Sequence, residues 1–87
     1  MAQMFAHYRV RDYEAWRPIY DGNENSRAAA GITNGRVFRG TDDSCDLVII
    51  HDVADLEKAR AWSQSAELQS TLHRAGMLGP SSIHVVG

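Results

Sequence analysis

Trp16, Tyr20, Asn23, Arg27 and Ala30 recur at spacings of 4, 3, 4 and 3. At about 100° per helical residue they fall within an arc of about 80°. Two aromatic rings therefore share one helix face with an amide and a guanidinium. Above an apolar cavity that guanidinium could grip a carboxylate, phenolate or enolate, because arginine presents a rigid fork of donors to planar oxyanions. The competing reading makes Trp16 and Tyr20 core residues and sends Arg27 along its apolar stem to solvent or to an acid. Two strand residues extend the set. Tyr8 could donate to a developing oxyanion, and His51 could serve as a base near neutral pH. The plainer reading of His51, close to its strand's end, is a half-exposed, hydrogen-bonded ring. Trp62 reads as a core anchor whose indole nitrogen can also donate to a ligand. The candidate catalytic residues are Tyr8, His51 and Arg27. The candidate pocket comprises Tyr8, Trp16, Tyr20, Asn23, Arg27, Ile49, His51 and Trp62.

Other constellations carry less. His7, His51, His73 and His84 show no i,i+2 or i,i+4 pair, so no metal site is expected. Asp42, Asp43 and Asp46 cluster without the glycine and glutamate spacing of a calcium loop, and turn chemistry explains them. Cys45 stands among carboxylates that disfavour its thiolate, which argues against a nucleophile. The glycines form no phosphate-binding pattern between a strand and a helix, and no cofactor is expected.

Alternating residues over 4–10 read as a strand with Met4, Ala6, Tyr8 and Val10 on one face and Phe5, His7 and Arg9 on the other. Asp12 is an N-cap for a first helix over about 13–30, kinked by Pro18 and Gly22 and stopped at Gly31. Residues 34–40 and 45–52 make two strands joined by the turn-forming stretch 41–44. Asp55 caps a helix over 56–63, and Ser65 caps another over 66–75, with Leu68 and Leu72 on one face. Gly79-Pro80 reads as a turn before a last strand over 82–86. The order β-α-β-β-α-β, its second helical part broken in two, predicts an α+β fold of the ferredoxin-like plan. In that plan a four-stranded antiparallel sheet carries helices on one face. Phe5, Val48 and Ile50 then fall on the helix-free face, where a partner sheet is expected to cover them.

The stretches from His7 to Trp16, from Gly35 to Arg39 and from Asp55 to Trp62 resemble the small dimeric α+β barrel proteins. So do Arg27, Gly31, the run from Ser65 to Leu68, and Ala75-Gly76. This superfamily includes antibiotic-biosynthesis-monooxygenase-like proteins and small polyketide cyclases. The resemblance implies a homodimer whose sheets pack face to face, with one pocket per subunit between sheet and helices. It also implies a cofactor-independent monooxygenase- or cyclase-like enzyme acting on a small aromatic or polyketide-like molecule. The alternative is a non-catalytic ligand-binding or interaction module of the same fold. The chain departs from the family's more regular first helix at Pro18 and Gly22.

Length and charge set the outer bounds. Eighty-seven residues make one domain, 1–87, with a small core. A net charge of −2 provides no basic field for nucleic acid. One cysteine excludes an internal disulfide and fits a reducing compartment. The apolar run 47–50 is far below the roughly 20 residues of a membrane helix, and residues 1–7 lack the charge and apolar pattern of a signal peptide. A cytoplasmic protein that binds neither membrane nor nucleic acid is the expectation.

Overall fold

The computed structural model describes residues 2–87. Four strands, β1 (Ala2–Val10), β2 (Ile32–Arg39), β3 (Asp46–Val53) and β4 (Met77–Val86), form one antiparallel sheet in the order β2-β3-β1-β4. Four helices, α1 (Tyr13–Gly22), α2 (Glu24–Ala29), α3 (Leu56–Ser63) and α4 (Ala66–Arg74), connect them. This is the ferredoxin-like α+β arrangement expected from the element order.

Strand parity decides which side chains meet the helices. Met4, Ala6, Tyr8 and Val10 of β1 are buried, as are Leu47, Ile49, His51 and Val53 of β3. They alternate with exposed or half-buried neighbours, as a sheet packed on one face requires. Tyr8, Ile49 and their neighbours pack against Trp16 of α1 and against Leu68 and Leu72 of α4. Met4, Ile32, Val53 and Ala59 form a second, smaller cluster.

The caps fall where expected. Asp12 accepts from the amide of Glu14, Asp55 from Lys58 and Ser65 from Leu68. Gly31 and Gly76 end their helices in the left-handed region that suits glycine.

Several boundaries differ from the sequence reading, among them the start of β1, which lies two residues earlier at Ala2. The first helix is two helices, and the break lies at Asn23 while Pro18 is carried inside α1. Proline lacks one donor, but the surrounding turns and the packing of Trp16 hold α1 together. β2 begins two residues earlier, at Ile32, and contains an irregularity: Thr33 pairs with Asp52 and Arg36 with Ile50. Asn34 and Gly35 thus stand opposite His51 alone, a bulge, and Asn34 has a positive φ of 53°. Finally, β4 begins at Met77 and runs through Gly79-Pro80 in place of the expected turn. β4 is an edge strand, where a missing donor is tolerated, and its pairing with β1 shifts between His7 and Arg9 to absorb the extra residues.

Candidate functional site

β1, β3, α1, α2, α3 and α4 enclose a cavity of about 50 Å³. All eight residues singled out from the sequence border it: Tyr8, Trp16, Tyr20, Asn23, Arg27, Ile49, His51 and Trp62. The 4-3-4 stripe survives the break at Asn23, because α2 resumes with nearly the same facing. Trp16 is almost fully buried, and its ring stacks on Tyr20 at 4.8 Å between centroids. Its indole nitrogen donates to the Tyr8 hydroxyl at 3.1 Å. Trp62 closes the wall from α3, and its indole donates to Ser26 Oγ of α2 at 3.1 Å.

Tyr20 is the hub. Its hydroxyl lies 2.7 Å from His51 Nε2, and its main-chain oxygen accepts from Arg27 Nη1 at 2.8 Å. The Arg27 guanidinium also lies over the Tyr20 ring, 3.9 Å from its centroid. Arg27 is therefore buried in the wall and not directed to solvent, and His51 is buried at 4% exposure. No ion pair among the described residues involves Arg27.

Electrostatics follow from this burial. Desolvation, together with the charges of Arg27 and Arg36, pushes the His51 pKa down to about 4, against a smaller opposing pull from Asp52. His51 is thus neutral at pH 7 and a weaker base than its ordinary value near 6.5 suggests; the expected titration near neutral pH moves into the acid range. Burial pushes the Tyr8 phenol up to about 12, only partly offset by the Trp16 hydrogen bond. Burial also raises Tyr20, with Arg27 and Arg17 pulling the other way. Both phenols keep their protons.

Two tautomers fit the contact: Tyr20 donates to Nε2 when the ring hydrogen sits on Nδ1, and His51 donates to the Tyr20 oxygen when it sits on Nε2. Each leaves one donor and one acceptor of the pair unmet. Nδ1 is one of two side-chain nitrogens sealed from water without a partner among the described residues. Tyr8 accepts from Trp16 and has no acceptor for its own proton there. The cavity thus offers donors from Tyr8 and Arg27 beside an aromatic wall. Such an arrangement stabilises negative charge on a ligand oxygen.

Gly35 escaped the sequence reading as a site residue. A Cβ at this position would collide with Tyr20 Oη and lie 2.9 Å from His51 Nε2. The bulge brings a residue without a side chain against the Tyr20–His51 contact. The Asn34-Gly35 pair was the available signal, since such a pair inside a strand marks a bulge. Leu68, Leu72 and Ile83 also line the cavity. The 4-residue spacing of the leucines and the alternation of β4 point to them.

No family model matches the sequence, and no curated protein sequence matches it. Solved structures do. A Bordetella bronchiseptica protein described as a candidate antibiotic biosynthesis monooxygenase superposes with a TM-score of 0.77 at 14% identity, over 99% of this chain and 94% of its own. SnoaB, a cofactor-independent oxygenase from Streptomyces nogalater, gives a TM-score of 0.74 at 12% identity, over 99% and 90%. A similarly described Nitrosomonas europaea protein gives 0.71 at 16%, over 100% and 97%. No helix of the described residues is long and apolar enough to cross a membrane. Coverage this complete at such low identity establishes a shared architecture: the chain has the ferredoxin-like α+β fold of the antibiotic-biosynthesis-monooxygenase-like proteins.

Proposed function

We propose that this protein is a small homodimeric, cytoplasmic pocket protein with cofactor-independent monooxygenase- or cyclase-like activity on a small aromatic or polyketide-like molecule. The observation that carries this reading is the convergence of Tyr8, His51 and Arg27 on a cavity walled by Trp16, Tyr20 and Trp62. The rings would stack on an aromatic ligand. Tyr8 and Arg27 would stabilise an enolate- or phenolate-type oxygen as charge develops on it. The fold likeness to SnoaB supports the choice of chemistry, and the single Cys45 suits a reducing compartment.

The cavity's volume favours a second reading. At about 50 Å³ it is smaller than the roughly 150 Å³ that an apolar cavity needs to take a benzene. A ring can enter only if the helices move apart. A protein that opens to bind without turning over, a ligand-binding or interaction module, fits that requirement equally.

Titration with 1-naphthol, read by quenching of Trp16 and Trp62 fluorescence, tests both readings. Saturable quenching that weakens about tenfold in Tyr20→Phe is expected. Product formation or oxygen uptake with hydroxylated aromatic substrates selects the enzyme, and binding alone selects the module. No saturable quenching, together with no retained small molecule in native mass spectra of freshly purified protein, overturns both.

A further inference from the structure

A second cavity, of about 90 Å³, lies between α2 and β2. Glu24, Arg27, Thr33, Asn34, Gly35 and His51 border it. The bulge explains its place. Two residues of β2 stand opposite one of β3, so the strand bows and leaves room beside His51. That room suffices for several waters or one small planar anion.

Arg27 is the wall shared by the two cavities. It is only 7% exposed, its one hydrogen bond goes to the Tyr20 main-chain oxygen, and no carboxylate pairs with it among the described residues. Glu24, three residues earlier, borders the same space but is exposed and forms no ion pair there. A buried guanidinium without a counter-charge is costly. The only side-chain nitrogens sealed without partners among the described residues are Arg36 Nε and His51 Nδ1. The remaining N–H groups of Arg27 therefore keep some accessible surface, on a side chain that borders both cavities. After burial, the charges of Arg27 and Arg36 are the largest influences on His51, and both disfavour its protonation.

We propose that the cavity between α2 and β2 binds a small planar oxyanion of the carboxylate class, held by the Arg27 guanidinium. The assignment shares Arg27 with the aromatic cavity but does not depend on what reaction, if any, takes place there. Arginine's donor fork matches two oxygens of such an anion. Glu24, hydrated at the rim, opposes binding without cancelling a desolvated charge.

Formate, titrated into the ¹⁵N-labelled protein at constant ionic strength with chloride as control, provides the test. Saturable shifts are expected at the Thr33 and Gly35 amides and at Arg27 Nε–H, while the Trp16 and Trp62 indole signals stay in place. Glu24→Gln should tighten formate several-fold, and Arg27→Met should abolish the shifts. If Arg27→Met does not fold, Glu24→Gln decides: unchanged or weaker binding overturns the site. Equal effects of formate and chloride, or shifts that grow without saturating, also overturn it. Shifts led by the two indoles overturn it as well, but they leave Arg27 serving the aromatic cavity and so leave the proposed function standing.

Discussion

Gly35 is glycine for space and not for backbone freedom. Its φ is not among the positive values, which belong to Gly31, Gly76 and Gly79. Alanine could adopt the backbone, but its Cβ would press on Tyr20 Oη and His51 Nε2. Gly35→Ala is therefore expected to cost about 1–3 kcal/mol, the range for overpacking, and to part Tyr20 from His51. Urea denaturation reads the first effect and imidazole ¹⁵N shifts the second; wild-type values for both would show that the space is there. His51 makes a separate, pH-dependent prediction. Its folded pKa, about 4, lies below its ordinary 6.5, so the unfolded chain takes the proton first. The stability linked to this residue is complete above pH 6.5 and is lost as pH falls towards 4, with no further loss below. The interval corresponds to roughly 3 kcal/mol. Asp43 and Asp52, whose pKa values are lowered from 3.8 by hydrogen bonds to Cys45 and Asn34 first of all, act in a lower range. Their contribution is present above pH 3.8 and disappears beneath it. Denaturation free energies measured from pH 7.5 to 4.5 should slope accordingly, and His51→Phe should flatten the slope; a flat wild-type profile would contradict the burial argument.

Two side-chain hydrogen bonds tie the helices together beside the cavity. Trp62 of α3 donates to Ser26 of α2, and Ser65 joins α3 to α4 by donating to the Trp62 carbonyl at 2.8 Å while capping Leu68. Trp62→Phe keeps most of the ring volume and removes the donor. A loss of about 0.5–1.5 kcal/mol is expected, the net worth of one hydrogen bond, and naphthol binding should survive; a thermal melt matching wild type would show the tie to be idle. The caps of α1, α3 and α4 were legible because Asp12, Asp55 and Ser65 act through near neighbours in the chain. The core faces of β1 and β3 were legible because a period of two needs no knowledge of partners. Three features were hidden for reasons of context. Gly79-Pro80 carries turn chemistry, and only the edge position of β4 lets the strand run through it. The Asn34-Gly35 pair signals a bulge locally, but that the bulge stands opposite His51 is set by the register with β3. The break at Asn23 competes with a stronger local breaker, Pro18, that packing tolerates. In the site, the helical spacing placed Tyr20, Asn23 and Arg27 on one wall. That Tyr20 is the hub, and that His51 is buried with the charges of Arg27 and Arg36 acting on it, follows from several elements meeting and lies beyond any single stretch of sequence.

At the scale of the whole molecule, the sheet has helices for one face only. On the other, Phe38 is 53% exposed, with Phe5, Val48 and Ile50 half-buried around it and Val86 46% exposed at the margin. The apolar patch is edged by polar contacts: a hydrogen bond between His7 and Asp46, and the ion pairs of Arg9 with Asp43 and Arg36 with Asp52. An apolar centre with a polar rim is the anatomy of a protein–protein interface. A second copy of the chain offers the same patch about a two-fold axis, so the surface needs to complement only itself. The expectation is a dimer through this face that buries about 1,200 Å² or more in total, the standard class for stable association. Charge placement supplies the discriminating variant. Phe38 lies on the edge strand β2, at the centre of no helix contact, so Phe38→Glu should leave the subunit's fold intact. Two such carboxylates brought together in an apolar interface would repel and lose their water, which costs several kcal/mol in association. Light scattering should therefore give twice the 9.7 kDa chain mass for the wild type and the single mass for Phe38→Glu at micromolar concentration. A wild-type protein that stays at 9.7 kDa would leave the face free. A dimer indifferent to Phe38→Glu would move the interface to another surface, with β4 and its exposed Leu78 next to be tried.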